Sequence, residues 1–324
     1  MSKAQSAANS GFSKSLKDLL KRSKTIVAVH QKVGWQVHVF RDWWGTRVWK
    51  RTTEVLTPLG FKLVSGFHPA YKLMREGKFE IEETAIISRL LAHADVFVDV
   101  GANLGYYTCL ASQRGKQVVA FEPQPQNLNC LMRNVMVNGY EQQVEIFPLA
   151  LSNRPGLLTL YGASGPSASL IKGWAGYSAN YKQLIPVSTL DVVLNTRFVD
   201  KQLFIKIDVE GAEYQVLAGA QAVLSRARKP VWLLEVCLQE FHPSGLNPDF
   251  SKVFDLFWDK GYQAFTATEP AKLVTKQDVA AWMKTRSTNS GAFNYVFISP
   301  QCSPEMAVAI LSSSRLPGAS AADE

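Results

Sequence analysis

Long apolar runs are missing from this 324-residue chain. The longest, residues 203–209 and 231–236, have the length of a strand and fall far short of the roughly 20 residues that cross a bilayer. Cysteine is also scarce, with four residues far apart and no CxxC spacing: Cys109, Cys130, Cys237 and Cys302. This argues against a disulfide framework and against a zinc site. We expect a soluble globular protein with reduced thiols.

The N-terminus lacks an apolar h-region, so we expect no signal peptide and a cytoplasmic location. The net charge of +8 is unevenly placed, because residues 1–80 hold fifteen Lys and Arg against five Asp and Glu. Such an excess is compatible with contact to a membrane surface, nucleic acid or another anionic polymer. A solvated basic face is the commoner explanation and the one we favour.

Two features of the basic segment have alternative interpretations. The stretch from Lys14 to Lys24 places three leucines on one helical face among five cations, which predicts a short amphipathic helix. Such a helix either makes peripheral contact with an anionic membrane or packs on the domain, and we slightly favour packing. A Trp-rich cluster with Arg and Lys follows at residues 43–51; aromatic rings beside cations can stack on sugars or bases, but more often form core and rim.

Beyond residue 80 the chain alternates between strand-like and helix-like segments, which implies an α/β fold with a parallel sheet. Strands are predicted at 96–100, 117–122, 144–151, 203–209, 231–236, 262–268 and 294–298. Two further strand-like runs, 156–161 and 184–190, flank a loop rich in Gly, Ser and Ala and predict an inserted hairpin. We therefore divide the chain into a basic, Trp-rich extension (1–80), a catalytic domain (81–300) and a flexible tail (301–324).

A glycine turn follows the first of these strands, in the run VDVGANLGYYT that contains Asp99, Gly101 and Gly105. Strand, glycine turn and helix are the usual layout for a nucleotide-like ligand. Tyr106 to Thr108 stand where a dinucleotide fingerprint has its third glycine, so the pyrophosphate cradle is missing. Glu122 ends the next strand and can accept both hydroxyls of a ribose. Glu122 alone selects neither cofactor, but the missing third glycine and the acid before the turn favour S-adenosylmethionine over NAD.

Carboxylates and one histidine follow the fourth and fifth strands. Asp208 is the first candidate for an active-site carboxylate, and its alternative role is to cap the following helix. Glu210 and Glu213 are candidates for substrate hydroxyls or helix charges, Glu235 ends the fifth strand, and His242 is the best-placed histidine for a general base, though a surface role fits it equally well. Asp208 and Glu235 can also be read as Mg²⁺ ligands, a minority reading; we predict no metal.

The runs VDVGANLGYYT, FEPQPQN, IKIDVEGAEYQVLAGA and NYVFIS resemble the FkbM-type S-adenosylmethionine-dependent methyltransferases over roughly residues 77–299. The resemblance implies a class I methyltransferase (Rossmann-like) fold, with a seven-stranded, mostly parallel sheet between helices and an antiparallel last strand. It also implies O-methylation of a sugar or natural-product hydroxyl, with Glu122 on the ribose and residues 150–152 beside the adenine. The predicted cofactor residues are Asp99, Gly101, Ala102, Asn103, Gly105, Tyr106, Tyr107, Thr108, Glu122, Pro123, Asn127, Ala150, Leu151 and Asp208. The predicted catalytic residues are Asp208, Glu210, Glu235 and His242.

Two classes of function stay open at this point. The leading one is an O-methyltransferase that acts on a small molecule or glycan. The second is a nucleic-acid-directed methyltransferase or binding protein that uses the basic segment, although an acidic catalytic edge would repel phosphates. A dehydrogenase is disfavoured by the missing third glycine. The acceptor and the oligomeric state are not predicted.

Overall fold

Thirteen strands and nine α-helices form the part of the chain that the computed structural model describes, residues 54–64, 70–162, 168–288 and 291–302. The strands are β1 (Glu54–Leu56), β2 (Lys62–Val64), β3 (Val96–Val100), β4 (Gln117–Phe121), β5 (Val144–Phe147), β6 (Ala150–Leu151), β7 (Gly156–Tyr161), β8 (Lys182–Ser188), β9 (Leu203–Ile207), β10 (Val231–Glu235), β11 (Gln263–Thr266), β12 (Leu273–Val274) and β13 (Asn294–Ile298). The helices are α1 (Tyr71–Arg75), α2 (Ile81–Ala92), α3 (Tyr106–Gln113), α4 (Pro125–Val137), α5 (Leu190–Leu194), α6 (Glu213–Ala218), α7 (Gln221–Leu224), α8 (Phe250–Asp259) and α9 (Lys276–Thr285).

The main sheet has the strand order β12-β11-β13-β10-β9-β3-β4-β5. Strands β5, β4, β3, β9 and β10 are parallel neighbours, and β13 runs antiparallel to both β10 and β11. This confirms the α/β class I methyltransferase arrangement with an antiparallel last strand. The described sheet differs from the expected seven strands by β12, a two-residue edge strand too short to produce a period in the sequence.

The segment predicted as one strand at 144–151 is divided between two sheets. β5 ends at Phe147, Pro148 follows, and β6 then pairs with β8 in a three-stranded sheet of order β6-β8-β7. Proline has no N–H to donate to a ladder, so the strand cannot continue through it. The predicted hairpin is present as antiparallel β7 and β8, and its second strand ends before Thr189, whose Oγ1 accepts from the Val192 N–H at the start of α5.

The central strands are buried on both faces, as expected for parallel strands covered by helices. Alternate residues of β3 divide between two cores: Val96 and Val98 contribute to one, and Phe97 to the other. Asp99 of β3 and Lys206 of β9 are register partners in these otherwise apolar strands. Both are buried, so the packing places a polar pair inside the sheet close to its carboxyl edge.

The described part of the predicted extension packs against the domain. Phe61, Leu63 and Met74 belong to the same core as β3 and β4, and the Val64 N–H donates to Oδ1 of Asn134 on α4 at 2.7 Å. The described residues 54–64 and 70–80 thus share the core of the catalytic domain. The predicted helix from Lys14 to Lys24 and the Trp-rich cluster lie outside the described residues.

Candidate active site

An open cleft lies at the carboxyl ends of β3, β4 and β9. Its lining comes from the turns after these strands, the β5–β6 turn and the inserted hairpin: Val100, Gly101, Asn103, Phe121, Glu122, Pro123, Asn127, Leu149, Ala150, Leu151, Leu160, Ala168, Leu170, Asp208, Val209, Glu210 and Ala212. The order of the strands in the sheet reverses at β3, because β4 lies on one side of it and β9 lies on the other. Open α/β sheets bind their ligands at such a switch point.

The glycine turn after β3 is shaped by contacts within the protein. Gly101 has φ +86°, and a Cβ there would stand 1.9 Å from the carbonyl oxygen of Asp208, so only glycine fits between the ends of β3 and β9. A Cβ at Gly105 would meet Cδ1 of Leu131 on α4 at 2.5 Å. The first glycine brings the two strand ends together at the cleft, and the second lets α3 pack closely on α4.

Glu122 is buried at the end of β4, with each carboxylate oxygen held by a backbone N–H. Oε2 accepts from Asn103 and Oε1 accepts from Gln124, both at 2.8 Å, and the Asn127 side chain adds a further hydrogen bond. Burial raises the pKa of Glu122 to about 7, against the opposing effect of these hydrogen bonds.

The lining of the cleft near Glu122 is suited to a polar ligand. Oδ1 of Asn103 is buried and has no hydrogen-bond partner among the described residues, which is costly unless a ligand donates to it. Asn103 also has a positive φ of +53°, a strained conformation for a residue other than glycine. An anchored carboxylate beside an amide oxygen without a partner fits the hydroxyl groups of a ribose.

Eight of the fourteen predicted cofactor residues line this cleft: Gly101, Asn103, Glu122, Pro123, Asn127, Ala150, Leu151 and Asp208. The other six, Asp99, Ala102, Gly105, Tyr106, Tyr107 and Thr108, are not among its lining residues.

Contacts in the core explain several of these six positions. Asp99 is 1% exposed and accepts from Oγ1 of Thr108 at 2.6 Å. The Tyr106 ring packs edge-on against Phe61 and Phe79. Because α3 begins at Tyr106, its first turn directs these side chains into the core.

Asp208 follows β9, and its side chain is 28% exposed in the cleft. Its Oδ2 accepts a hydrogen bond from Nζ of Lys206 at 2.8 Å. Asp208 lies two positions after Lys206 and directly after the end of β9, and this short separation along the chain brings the two side chains together. Asp208 therefore combines access to the cleft with a fixed cationic partner.

Glu210 also lines the cleft, where the inserted segment holds it. Its Oε2 accepts from Nε1 of Trp174 at 2.6 Å, and its backbone carbonyl accepts from Oγ of Ser169 at 2.5 Å. Glu210 has φ +55°, and a Cβ at the neighbouring Gly211 would lie 2.3 Å from the Trp174 ring. The insertion thus packs directly on the turn that carries Asp208 and Glu210.

The remaining predicted residues have other surroundings. Glu213 is buried at the start of α6 and accepts from the Gly211 N–H at 2.9 Å, the helix-charge alternative of the sequence analysis; burial raises its pKa to about 8. Burial, and then the nearby Asp208, raise the pKa of Glu235 well above its usual range. Nδ1 of His242 contacts Oγ of Ser244 at 2.8 Å. The described cleft is not lined by Glu213, Glu235 or His242.

Sequence reasoning missed three residues beside the cleft: Lys206, Glu83 on α2, and Trp174. Lys206 is 3% exposed, and its Nζ lies 3.6 Å from Oε1 of Glu83. The one available signal was a lysine inside the apolar run of β9, LFIKI. Helix α2 and the insertion gave no signal, because their approach to β9 depends on tertiary packing.

The family model described as the methyltransferase FkbM domain matches residues 99–264, just over half of the chain. The chain belongs to the FkbM family of methyltransferases. This FkbM-family protein is therefore an S-adenosylmethionine-dependent methyltransferase, and the cofactor expected from the sequence is confirmed. The match begins at Asp99 near the end of β3, contains Glu122 and Asp208, and does not extend to α2 or β13.

Two relatives are similar at low identity. The hexuronic acid methyltransferase AglP of Haloferax volcanii is 28% identical over 202 residues, which are 60% of this chain and 74% of that protein. The methyltransferase sdnD of Sordaria araneosa is 26% identical over 197 residues, 51% of this chain and 72% of that protein. A solved FkbM methyltransferase from Methylobacillus flagellatus is 16% identical with a TM-score of 0.38, and the match covers 64% of this chain and 44% of that one.

The described residues contain neither a cluster suited to a metal ion nor a helix suited to crossing a bilayer. No group of three or more His, Cys, Asp and Glu side chains there could hold a metal ion. None of the described helices is both long and apolar enough to cross a bilayer.

Proposed function

We propose that this FkbM-family enzyme transfers the methyl group of S-adenosylmethionine to a hydroxyl oxygen of a sugar, free or within a glycan. The cofactor supplies a methyl group already activated by its sulfonium. The protein then has to align the hydroxyl and remove its proton. The name of the Haloferax relative, a hexuronic acid methyltransferase, supports a sugar acceptor. A natural-product hydroxyl is the other acceptor class expected from the sequence.

The observation that carries the proposal is the carboxylate of Asp208 at the cleft. A general base has to reach the proton that it removes, and Asp208 combines a cleft-lining side chain with a fixed partner, Lys206. We assign Asp208 as the base and Glu210 as an acceptor of sugar hydroxyl hydrogen bonds. Glu235 and His242 leave the catalytic set, because neither lines the described cleft.

We assign the cofactor to the part of the cleft beside Glu122. Its carboxylate would accept the two ribose hydroxyls, with Asn103 and Asn127 beside it. Ala150 and Leu151, which follow β5 and line the same cleft, would border the adenine. These four neighbours of Glu122 carry no charge, so Glu122 provides the one ionisable contact to the nucleoside.

A labelled-methyl assay tests the proposal. Enzyme and S-adenosylmethionine are incubated with hexuronic acids, neutral hexoses, lipid-linked glycans and natural-product alcohols. Asp208→Asn should lower kcat by about 100-fold or more, with cofactor affinity within about tenfold of the wild type. Asp255→Asn, at an exposed position of α8, is the matched control and should leave both unchanged.

The position of the label separates the reaction types. A methyl ether survives mild alkali, whereas a methyl ester on a uronic acid is hydrolysed. Alkali-labile product, or full turnover by Asp208→Asn, would contradict the proposed hydroxyl chemistry.

A further inference from the structure

The buried lysine Lys206 is an unusual feature of the sheet. It is 3% exposed in the middle of the molecule, and lysine is almost never fully buried unless it is paired. Its nearest partner is Oδ2 of Asp208 at 2.8 Å, and Oε1 of Glu83 lies 3.6 Å away. The Tyr107 ring centroid is 5.1 Å from the same Nζ. The cation is therefore fixed from three elements, β9, α2 and α3.

Further residues hold these partners in turn. Glu83 is 7% exposed, and its Oε2 accepts from Nδ2 of Asn294, the first residue of β13, at 2.9 Å. The Tyr107 hydroxyl donates to Oε2 of Glu80 at 2.6 Å, and Glu80 has φ +42°. Strain of this kind persists where the surrounding structure over-determines it, and it concentrates at functional sites.

Charged and titratable groups face Lys206 from every element around it. They are Asp208 directly after β9, Glu80 and Glu83 at α2, Asp99 on β3, Tyr107 on α3 and Glu235 on β10. Burial raises the pKa of Glu83 to about 8, and the surrounding carboxylates hold the pKa of Lys206 well above its usual range. Lys206 therefore carries its positive charge over the pH range in which Glu83 titrates.

Stability alone does not account for this arrangement. Buried ion pairs are often replaceable by apolar residues of similar volume at no cost in stability. Here the pair stands at the edge of the cleft, and one partner, Asp208, lines it.

We propose that Lys206, braced by Glu83 and Tyr107, is a positioning residue for methyl transfer. It holds Oδ2 of Asp208 and leaves the other carboxylate oxygen to the acceptor hydroxyl. Glu83 lies outside the residues that match the family model, so the positioning device extends beyond the family's matched segment. The inference rests on the proposed function, because it needs Asp208 to act on an acceptor.

Four variants test it. Lys206→Met keeps most of the side-chain length and removes the charge, and Lys206→Arg keeps the charge. Glu83→Gln keeps the size and the contact with Asn294. Glu82→Gln is the matched control, since Glu82 precedes Glu83 on α2 and is exposed.

The first readout is the pH profile of kcat. Lys206→Met should move the acid limb up by about one pH unit or more, because the buried carboxylates around Nζ lose the cation that favours their ionised form. Lys206→Arg should keep the limb within about half a unit of the wild type, and Glu82→Gln should not move it. A lysine that only stabilises the fold would lower kcat at every pH and leave the limb in place, which would overturn the inference.

The second readout needs no acceptor. Calorimetry compares S-adenosylmethionine, which carries the sulfonium charge, with neutral-sulfur S-adenosylhomocysteine. The quantity compared is the affinity for S-adenosylmethionine divided by the affinity for S-adenosylhomocysteine. Lys206→Met removes a positive charge and should raise this ratio by about threefold to tenfold, whereas Lys206→Arg should leave it unchanged. At pH 9, where Glu83 is ionised, Glu83→Gln should lower the ratio by about twofold.

The two readouts separate the proposals. If the affinity ratio changes as stated but no acceptor is methylated, the proposed O-methyltransferase function is wrong and the charge coupling of Lys206 to the cofactor is supported. If the variants turn over with an unchanged acid limb of the pH profile and unchanged affinity ratios, the positioning role of Lys206 is wrong and the proposed function stands. Should Lys206→Met fail to fold, the ratio in Glu83→Gln decides, and equality with the wild type at pH 9 would overturn the inference.

Discussion

The carboxylate of Glu122 gives the sharpest prediction for the cofactor site. Its pKa is raised to about 7 by burial, above the usual value near 4.3. The carboxylate fraction in the folded protein therefore increases as the pH rises through 7. A charged acceptor makes hydrogen bonds about twice as strong as a neutral one. Ribose binding should strengthen over the same pH window.

The magnitude follows from the ionised fraction. If the carboxylate is the form that binds, that fraction rises from about one tenth at pH 6 to about nine tenths at pH 8, so affinity should rise by about tenfold. Methylthioadenosine is the suitable probe, because it carries the ribose and adenine without the titrating amino-acid part of S-adenosylmethionine. Its dissociation constant is measured by calorimetry at pH 6, 7 and 8.

Glu122→Gln completes the test. The amide keeps one acceptor oxygen but replaces the other with an NH₂ group, so one ribose hydroxyl loses a charge-assisted hydrogen bond worth about 1.5–3 kcal/mol. The same NH₂ group also faces a backbone N–H, of Asn103 or of Gln124. Affinity at pH 8 should fall by about 10-fold to 100-fold and become independent of pH. The matched control is Glu141→Gln, at an exposed position. Wild-type affinity that is flat from pH 6 to 8, or a pH slope retained in Glu122→Gln, would refute the assignment.

Three further outcomes are expected. Gly101→Ala should destabilise the protein by about 3 kcal/mol or more, because its Cβ would meet a carbonyl oxygen at 1.9 Å; Gly115→Ala, with φ +72° and open space around it, should cost only about 1–2 kcal/mol in thermal unfolding. Trp174→Phe removes the donor to Glu210 and should lower kcat/KM for the acceptor by about tenfold while calorimetry finds cofactor affinity unchanged. The pKa of Glu213 is raised to about 8 in the folded protein. Its contribution to stability is therefore full below its unfolded pKa and is lost as the pH rises toward 8. The fall in Tm between pH 5 and 8 should be smaller in Glu213→Gln than in the wild type.

The location of the cleft could be predicted because the ends of strands can be recognised from the amino-acid sequence alone. Parallel strands have their carboxyl ends at one edge of a sheet, so Gly101, Glu122 and Asp208 had to be neighbours once their strands were recognised. Glycine spacing and a carboxylate after an apolar run are both local signals. These signals are the basis for the predicted nucleoside-binding residues and the candidate base, and Gly101, Glu122 and Asp208 all line the described cleft.

Contacts between distant elements had no such signal. The approach of Glu83 to Lys206 depends on how α2 packs across the sheet, and the bond from Trp174 to Glu210 depends on the path of an inserted loop. Tyr107, a predicted cofactor residue, is not among the residues that line the described cleft, and its ring lies beside Lys206. Pro148 was present in the sequence, and it explains why the single strand predicted at 144–151 is divided into β5 and β6.

A crystal structure of the enzyme with S-adenosylhomocysteine is the most direct measurement of the central claim, that methyl transfer takes place in the cleft between Glu122 and Asp208. We expect the ribose hydroxyls about 2.5–3.0 Å from the carboxylate of Glu122 and the homocysteine sulfur on the Asp208 side of the cleft. A nucleoside bound away from Glu122, or a sulfur on the side of the cleft remote from Asp208, would contradict it.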